Sequence, residues 1–324
     1  FHLEILNKIS DVTAPDWNSL LTDDAGPFLR HEFLSALEDT GCVGKNTGWQ
    51  ITHLVLKYDR EIVGAIPLYL KQHSYGEYVF DWSWAQAYEQ QGINYYPKVL
   101  CAIPFTPVQG SRLLMKPGLD KTLLYAKLIS GLKSLINFNQ LSSAHVLFPT
   151  KDEVKILSSE GFLLRDSVQF HWYNQGYQNF GQFLSSLTMK RRKNIRRERE
   201  YVASQNISFR HIPGRATTDQ DWEFFYACYA NTYFEHRSQP YLNESFFKRW
   251  AKYLPENLHL IVAEKNDLPI ASSLLVVDAI RSKVYGRYWG ALEHIPLLHF
   301  ETAYYQAIEY CISNGIQILS LIHI

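Results

Sequence analysis

Two short turns stand at corresponding places in the two halves of the sequence. The segments YDREIVGA, residues 58–65, and KNDLPIAS, residues 265–272, each have an acidic residue, a short gap, an apolar residue and a small one. Each joins runs of β-prone residues with period-two alternation, a pattern typical of a hairpin. In both halves helices precede this meander, and a further strand and a helix follow it. The repeated order predicts two mixed α/β domains of one type, residues 1–175 and 176–324, with the boundary near Gln175–Gly181.

The composition is that of a globular chain with a substantial core. Of the 324 residues, 46% are hydrophobic and 15% are aromatic, which excludes disorder on the scale of a domain. No apolar run approaches the roughly 18 residues that would predict a transmembrane segment. The 4 cysteines are scattered singly, without zinc-ligand spacing. We therefore expect reduced thiols, no bound metal and a cytoplasmic protein.

The end of the sequence, LSLIHI at Leu319–Ile324, has two interpretations. It resembles a translated sequencing adapter, and it also fits the buried strand that an α/β unit needs after the preceding helix. On either interpretation we expect the natural chain to continue beyond Ile324, so that the second domain is truncated at its C-terminus.

A basic segment, TMKRRKNIRRERE at residues 188–200, lies in a chain whose 32 Lys and Arg balance its 32 Asp and Glu. That neutrality argues against a general polyanion-binding protein. We predict one amphipathic helix that begins at Phe180 and includes the basic segment. Its inward seam would consist of Leu184, Leu187, Arg191, Ile195 and Val202. Arg191 would then need a carboxylate or a ligand anion as a partner, while the other basic residues would spread over the exposed side.

Six distinctive strings resemble a single family. They are FLSALEDTGCV (33–43), FDWSWAQAYE (80–89), YYPKVLCAIPFTPVQGSRLL (95–114), KRRKNIRRERE (190–200), PYLNESFF (240–247) and LHFETAYYQAIEYCI (298–312). They look like the bacterial FemAB-like family of predicted N-acyltransferases, linked to peptidoglycan biosynthesis and recognition, over about Leu29 to Ile316. The resemblance implies an α/β fold with mixed sheets, built as two tandem GNAT-like acyltransferase domains.

The resemblance also implies an activity. A FemAB-like protein would transfer an N-acyl or aminoacyl group to an amine acceptor, either a small molecule or a peptidoglycan precursor. The co-substrate would be acyl-CoA or aminoacyl-tRNA, with no permanently bound cofactor, and tRNA would be a partner in the second case. The sequence departs from the GNAT pattern in lacking the Arg/Gln-x-x-Gly-x-Gly/Ala loop that holds the CoA pyrophosphate. In GRYWGALEHIP, residues 286–296, the glycines are four apart, which counts against acyl-CoA.

Glu301 is the candidate acid–base residue of the second half. On a regular helix one apolar stripe would contain Leu297, Phe300, Glu301, Tyr304, Ile308 and Cys311. Glu301 is the lone acid in that stripe, and a desolvated carboxylate has a raised pKa that suits a general acid or base. The alternatives are an ion pair with a buried arginine such as Arg287, or a place at the edge of the stripe. Tyr304 is a candidate acceptor-binding residue.

Asp81, Trp84 and Tyr88 share one face of the helix predicted in FDWSWAQAYE. An acid between aromatic rings could bind a cationic amine or a sugar-like acceptor. Asp81 is therefore the second catalytic candidate, and Trp84 and Tyr88 are candidate acceptor-binding residues. The alternative is an aromatic core helix that Asp81 caps.

Five arginines are candidates for binding an anionic donor. They are Arg112, which follows the rigid loop PFTPVQGS, together with Arg191, Arg192, Arg196 and Arg287. Two other functions are compatible with the same residues. The chain could be a nucleic-acid (tRNA) binding protein, or a non-catalytic GNAT-like scaffold that uses the basic helix 188–200.

Overall fold

The chain folds into two compact units, Phe1–Asp166 and Ser167–Ile324. The structure is a computed structural model that describes residues 1–23 and 25–321. The ambiguous end segment begins within a strand, Ile318–Leu321. The rest of that segment, residues 322–324, lies outside the described residues.

The first unit contains two four-stranded sheets. Its strands are β1 (His2–Leu6), β2 (Trp49–Ile51), β3 (His53–Tyr58), β4 (Glu61–Ile66), β5 (Leu68–Lys71), β6 (Lys98–Cys101), β7 (Leu114–Met115) and β8 (Ala144–Val146). The strand orders are β1-β3-β4-β7 and β2-β5-β6-β8, with β6 and β8 parallel and the other neighbours antiparallel. The β3–β4 hairpin confirms the predicted turn, because Asp59 and Arg60 both have positive φ, 46° and 73°, as a type I′ turn requires.

Helices of the first unit differ in how they are anchored. They are α1 (Ala14–Asn18), α2 (His31–Asp39), α3 (Trp82–Gln90), α4 (Lys121–Phe138) and α5 (Lys151–Ser159). The N-terminus of α4 is capped by the Asp120 side chain, and Leu124, Leu128 and Leu132 pack into the core, as their spacing predicts. In contrast, α3 has no buried side chain.

The second unit is built on one six-stranded sheet. Its strands are β9 (Phe170–Tyr173), β10 (Ile207–Pro213), β11 (Leu258–Lys265), β12 (Leu268–Asp278), β13 (Lys283–Ala291) and β14 (Ile318–Leu321). The strand order is β10-β11-β12-β13-β14-β9, with β13 and β14 parallel. Because β9 pairs antiparallel with β14, it belongs to the second unit, which begins at Ser167 and not after the predicted boundary at residue 175. Local alternation cannot show which sheet an edge strand will join.

The helices of the second unit include one break that the sequence analysis missed. They are α6 (Phe180–Ser186), α7 (Met189–Ser204), α8 (Asp219–Glu235), α9 (Glu244–Tyr253), α10 (Leu298–Phe300) and α11 (Gln306–Ser313), with a π-helix, Glu301–Tyr305, between the last two. The single helix predicted from Phe180 is two helices. Leu187 has extended backbone angles (φ −89°, ψ 159°), so the chain changes direction before the basic segment begins.

Both units follow one plan. In each, a pair of helices lies between the first two strands of an antiparallel meander, β1-β3-β4 or β10-β11-β12. Each unit also contains two parallel strands joined through a helix, β6–α4–β8 and β13–α11–β14. The fold is therefore a mixed α/β architecture that occurs in tandem, as the sequence predicts.

Candidate functional site

A π-helical turn places Glu301 inside the second unit. Leu297, with φ +67°, precedes α10, and the π-helix Glu301–Tyr305 follows it. The wider turn changes the rotation of the side chains, so the regular stripe predicted from the sequence does not form. Phe300 is 45% exposed and packs against the half-buried Tyr304, with ring centroids 5.9 Å apart. Glu301 faces inward and is 3% exposed.

The carboxylate of Glu301 is held by Arg199 from α7. Arg199 Nε lies 3.1 Å from both carboxylate oxygens, and its Nη2 lies 2.9 Å from Oε1. The same Nη2 lies 2.8 Å from an oxygen of Glu309. Burial acts to lower the pKa of Arg199, but the two carboxylates raise it on balance. Glu301 therefore forms the ion pair expected as an alternative, with Arg199 in place of Arg287.

Arg199, and not Arg191, is the inward-facing arginine of α7. The break at Leu187 separates α6 from α7, so the seam predicted across both helices does not exist. Instead α7 turns Ile195, Arg199 and Val202 inward, at positions i, i+4 and i+7. Arg191 is exposed, which corrects the prediction that it needs an internal partner.

Gln306 connects Glu301 to a pair of histidines. Gln306 Nε2 donates to Glu301 Oε1 over 2.7 Å, because a carboxylate paired with an arginine can only accept. The amide oxygen of Gln306 therefore faces His211, whose Nε2 donates to it over 3.0 Å. In the neutral ring His211 Nδ1 then accepts from His259 Nε2, 3.1 Å away. The free lone pair at the end of this chain is on His259 Nδ1.

The histidine pair lines an open cleft of about 670 Å³. Small-molecule sites have volumes of about 300–1,000 Å³. Tyr310 forms one wall of the cleft, and its ring centroid lies 4.1 Å from that of His259. Gln306 and Glu309 also line the cleft, so the Glu301–Arg199 pair lies one hydrogen bond behind its surface. The cleft thus combines an aromatic wall with a hydrogen-bonded chain that ends in a buried carboxylate.

Acidification is expected to destabilise the second unit through His259. Burial, followed by the neighbouring His211, lowers the pKa of His259 to about 4. An unfolded chain has a histidine pKa of about 6.5, so the unfolded state takes up the proton first, and stability falls as the pH drops from 6.5 towards 4. At pH 5 the loss is about 2 kcal/mol. Urea denaturation at pH 7 and pH 5, followed through hydrogen exchange in β10–β12, measures it.

Two variants separate this effect from general acid sensitivity. His259→Gln removes the group that titrates, so its stability should depend less on pH over this interval. His294→Gln alters an exposed histidine of the same unit and should retain the pH dependence of the original chain. Equal pH dependence in the original protein and in His259→Gln would contradict the expectation.

Arg287 stands at a bulge in β13. The register between β12 and β13 shifts so that Arg287 is an extra residue on its strand. Within the described residues, β14 pairs with Lys283–Gly286, the part of β13 that precedes this bulge. The Nη2 of Arg287 donates to Tyr288 Oη over 2.8 Å. Bulges are over-represented next to active sites because they redirect a side chain, so Arg287 remains a candidate for binding an anion.

The second glycine of GRYWG has a packing role. A Cβ atom at Gly290 would lie 1.8 Å from the backbone oxygen of Cys228 in α8. Strand β13 can approach α8 this closely because residue 290 has no side chain. Helix–sheet packing therefore accounts for Gly290 without a phosphate-binding loop.

Helix α7 carries a group of six basic residues around its outward-facing surface and flanks, which we call the α7 cation face. It consists of Lys190, Arg191, Arg192, Lys193, Arg196 and Arg197. Arg192 is half-buried and the other five are exposed. In the part of the chain that the structure describes, none of the six forms an ion pair with an acidic side chain. The predicted donor-binding residues Arg191, Arg192 and Arg196 thus lie together on one open surface.

Asp81 lies in a buried cluster of charges in the first unit. Its side chain is 1% exposed, and Oδ2 accepts from Lys98 Nζ and from Tyr95 Oη, the latter over 2.6 Å. Burial acts to raise the pKa of Asp81, but the hydrogen bonds from Lys98 and Tyr95 hold it below its usual value. Asp81 occupies the N-cap position of α3 without making a capping hydrogen bond. Its carboxylate is therefore turned into the unit, away from the helix end.

Trp84 and Tyr88 are in different environments from Asp81. Trp84 is 47% exposed. Tyr88 is half-buried, with its ring centroid 5.1 Å from that of Tyr95. The structure buries the acid and leaves the tryptophan half-exposed, so the alternative of an aromatic core helix capped by Asp81 does not occur.

Arg112 is enclosed and does not face a solvent anion. Its side chain is fully buried at 0% exposure. It donates to the backbone oxygens of Val108, Gly110, Ser111 and Leu147 over 2.5–3.1 Å. Each of the three guanidinium nitrogens donates to at least one of these carbonyls, which corrects the prediction that Arg112 binds the donor. Its role is to hold the loop after β6 in shape.

Comparison with known families fits this architecture. The sequence profile of the FemAB-like family, described as peptidoglycan biosynthesis/recognition, matches residues 8–320. The chain belongs to the FemAB-like family. No curated protein gives a significant match to its sequence.

Solved structures resemble the FemAB-like chain over nearly its whole length. FemX is 12% identical with a TM-score of 0.54, covering 99% of this chain and 89% of its own. L-PGS from Bacillus licheniformis is 6% identical with a TM-score of 0.53, covering 93% and 77%. A tandem GNAT protein from the clavulanic acid biosynthesis pathway is 10% identical with a TM-score of 0.48, covering 98% and 88%. At such identities the likeness to FemX shows only that the FemAB-like chain shares its fold.

Three residues of the FemAB-like site were not found from the sequence. His211 and His259 lie on strands whose pairing alone brings them together, and Arg199 was grouped with the solvated charges of its helix. A usable signal was a histidine within each of the two strands ISFRHIP and LHLIVAEK. In the described part of this FemAB-like chain, no helix is both long and apolar enough to span a bilayer.

Proposed function

We propose that this FemAB-like protein transfers an acyl or aminoacyl group to an amine acceptor, in a reaction that serves the bacterial cell wall. Family membership supports a transferase of this type. The observation that carries the proposal is the chain of hydrogen bonds from the cleft through His259, His211 and Gln306 to Glu301. Amide formation needs a base that removes a proton from the amine. The series of hydrogen bonds offers His259 as that base.

The reaction would proceed as follows. His259 Nδ1 takes the proton of the amine, and the nitrogen lone pair attacks the acyl carbon to form a tetrahedral intermediate. His259 can pass its Nε2 proton to His211 Nδ1, which moves the positive charge one residue closer to Glu301. Collapse of the intermediate breaks the bond to the donor oxygen or sulfur, and that leaving group receives the proton. Glu301 acts through Gln306 and is therefore a positioning residue.

We propose aminoacyl-tRNA as the donor, in preference to acyl-CoA. The α7 cation face is an open surface of positive charge on a chain of zero net charge, and such a surface fits a phosphate backbone. The lack of a glycine-rich loop that would bind the CoA pyrophosphate also favours aminoacyl-tRNA over acyl-CoA. Arg191, Arg192 and Arg196 would contact the phosphates, and Arg287 would act nearer to the reacting group. The four cysteines are buried free thiols, which supports a reducing compartment such as the cytoplasm.

Neutralising the cation face is expected to weaken tRNA binding and to reduce its dependence on salt. The triple variant Arg191→Gln, Arg192→Gln and Arg196→Gln should lower the slope of log affinity against log salt by about 2–3, because each lost phosphate contact removes about 0.7–0.9. The slope is measured by fluorescence anisotropy with labelled tRNA between about 50 and 300 mM KCl.

A matched triple variant controls for net charge. Lys57, Lys116 and Lys133 each form an ion pair with an acid in the first unit, so replacing all three by glutamine removes the same charge elsewhere. This control should bind tRNA with the original slope. Equal losses in both triple variants, or binding that does not respond to salt, would contradict a phosphate role for α7.

A donor screen tests the transferase itself. The full chain is incubated with labelled acetyl-CoA or with charged tRNA, together with a panel of small amines and peptidoglycan precursors. We expect label to move from charged tRNA to an amine. Transfer from neither donor would contradict the enzymatic function. If tRNA nevertheless bound, the result would favour the second candidate, a tRNA-binding protein or GNAT-like scaffold without catalysis, which the cation face also supports.

A further inference from the structure

The buried charge cluster of the first unit has a fully occupied lysine at its centre. Lys98 Nζ lies within hydrogen-bond distance of Ser74 Oγ, at 2.9 Å, of Glu77 Oε2, at 2.8 Å, and of Asp81 Oδ2. An ammonium group has three N–H donors, so these three acceptors use all of them. Lys98 cannot serve any further acceptor in the cluster.

Two carboxylate oxygens of the cluster are left without a donor. Glu77 Oε1 and Asp81 Oδ1 accept no hydrogen bond from any described residue. Both side chains are 1% exposed. A buried polar atom without a partner costs about 1–3 kcal/mol, and more when it is charged. Each of these oxygens can therefore accept a hydrogen bond from a further donor group.

Burial also shifts the pKa values of the ionisable groups around Lys98. Lys71 Nζ lies 3.7 Å from the centroid of the Trp49 ring, and burial lowers the pKa of Lys71 to about 7. Burial lowers the pKa of His145 to about 4, so this histidine is neutral. Burial also raises the pKa of Glu77, the response of a carboxylate that lacks a full set of partners. A further cation beside Glu77 and Asp81 would favour their ionised forms.

A primary ammonium group has the required chemistry. It supplies one positive charge and three N–H donors, enough for both free oxygens. The rings of Tyr95 and Tyr96 already face a cation, with centroids 5.2 and 5.7 Å from Lys98 Nζ. A metal ion fits less well, because no group of three or more metal-ligating side chains occurs within residues 1–23 and 25–321.

We propose that Glu77 and Asp81 bind the primary ammonium group of a small-molecule amine beneath helix α3. Access is possible because α3 buries no side chain, and its Trp82 and Trp84 are each 47% exposed. A helix with so few buried contacts opens at low cost. This site goes beyond the proposed transfer, because binding needs neither an acyl donor nor the cleft of the second unit.

Amine binding to the full chain tests the site, with cadaverine as the probe. Isothermal titration calorimetry at pH 7 is expected to give saturable binding near 1 mM or tighter, about 4 kcal/mol. Two controls match the probe: 1,5-pentanediol has the same length without charge, and tetramethylammonium has charge without N–H donors. Each should bind at least tenfold more weakly. No binding of cadaverine, or equal binding of either control, would overturn the proposal.

Variants locate the binding. Glu77→Gln should weaken cadaverine binding at least tenfold, whereas Glu89→Gln, which alters an exposed acid of α3, should leave it unchanged. Undiminished binding by a folded Glu77→Gln protein, or an equal loss in Glu89→Gln, would overturn the assignment. If Glu77→Gln does not fold, the comparison of the three probes on the original chain still tests whether the protein binds a primary ammonium group. No donor is present, so the outcome is independent of the transferase assay.

Discussion

Arg112→Ala is expected to destabilise the first unit by about 3–5 kcal/mol, the range for removing a large buried side chain together with its hydrogen bonds. Arg112 is fully buried and donates to four backbone carbonyls, those of Val108, Gly110, Ser111 and Leu147. Alanine would leave these oxygens without donors and would open a cavity the size of the side chain. Hydrogen exchange of β6 and β7 amides under increasing urea measures the loss for the first unit alone.

Two further variants test why an arginine is needed. Arg112→Lys keeps the charge but has one nitrogen where the guanidinium has three, so it cannot reach all four carbonyls and should lose most of the same stability. Arg165→Ala removes an exposed arginine of the same unit and should change stability by less than about 0.5 kcal/mol. Full stability in Arg112→Lys would mean that charge, and not the fork of donors, holds the loop.

Glu301→Gln is expected to lower kcat by about 10²–10³-fold, the effect of impairing a general base. The amide has the shape of the carboxylate but no charge, so the histidine pair loses the anion that favours its protonated form. The apparent pKa of the base should fall with it, because the imidazolium is no longer stabilised through Gln306. The pH dependence of kcat/KM with charged tRNA and an amine acceptor measures both effects.

Glu309→Gln is the matched control for this position. Glu309 binds the same arginine as Glu301 but is more exposed, with side-chain exposures of 43% and 4%. It has no hydrogen bond to Gln306 among those described, so its loss should change kcat by less than about threefold and leave the pH profile in place. If Glu301→Gln instead kept its turnover and pH profile while losing stability, the carboxylate would serve only the ion pair.

The order of elements was predictable because local periodicity determines it. The Asp59–Arg60 turn and the leucine spacing of α4 are short-range signals, and both agree with the structure. The face of the helix on which each side chain lies was less predictable. The extended Leu187 and the π-helix at Glu301–Tyr305 each shift a face that a regular helix would keep. Such shifts depend on tertiary packing, which no window of sequence contains.

The two candidate acids were identified for a sound reason, but their partners were not. Glu301 and Asp81 are single acids among apolar residues, and both are buried. Their cationic partners, Arg199 and Lys98, lie 102 and 17 residues away in the chain, so spacing along the sequence could not reveal them. Arg112 illustrates the opposite case, since a charge after a rigid loop gives no sign that backbone oxygens surround it.

Strand β9 makes the second unit depend on residues that precede its apparent start. β14 lies between β13 and β9 in the sheet, so a fragment beginning at residue 176 would expose one edge of β14. An unpaired edge offers a row of free N–H and C=O groups that recruits strands from other molecules. A fragment that contains the whole second unit therefore begins at Ser167. A fragment that begins nine residues later would lack β9 and would be prone to self-association.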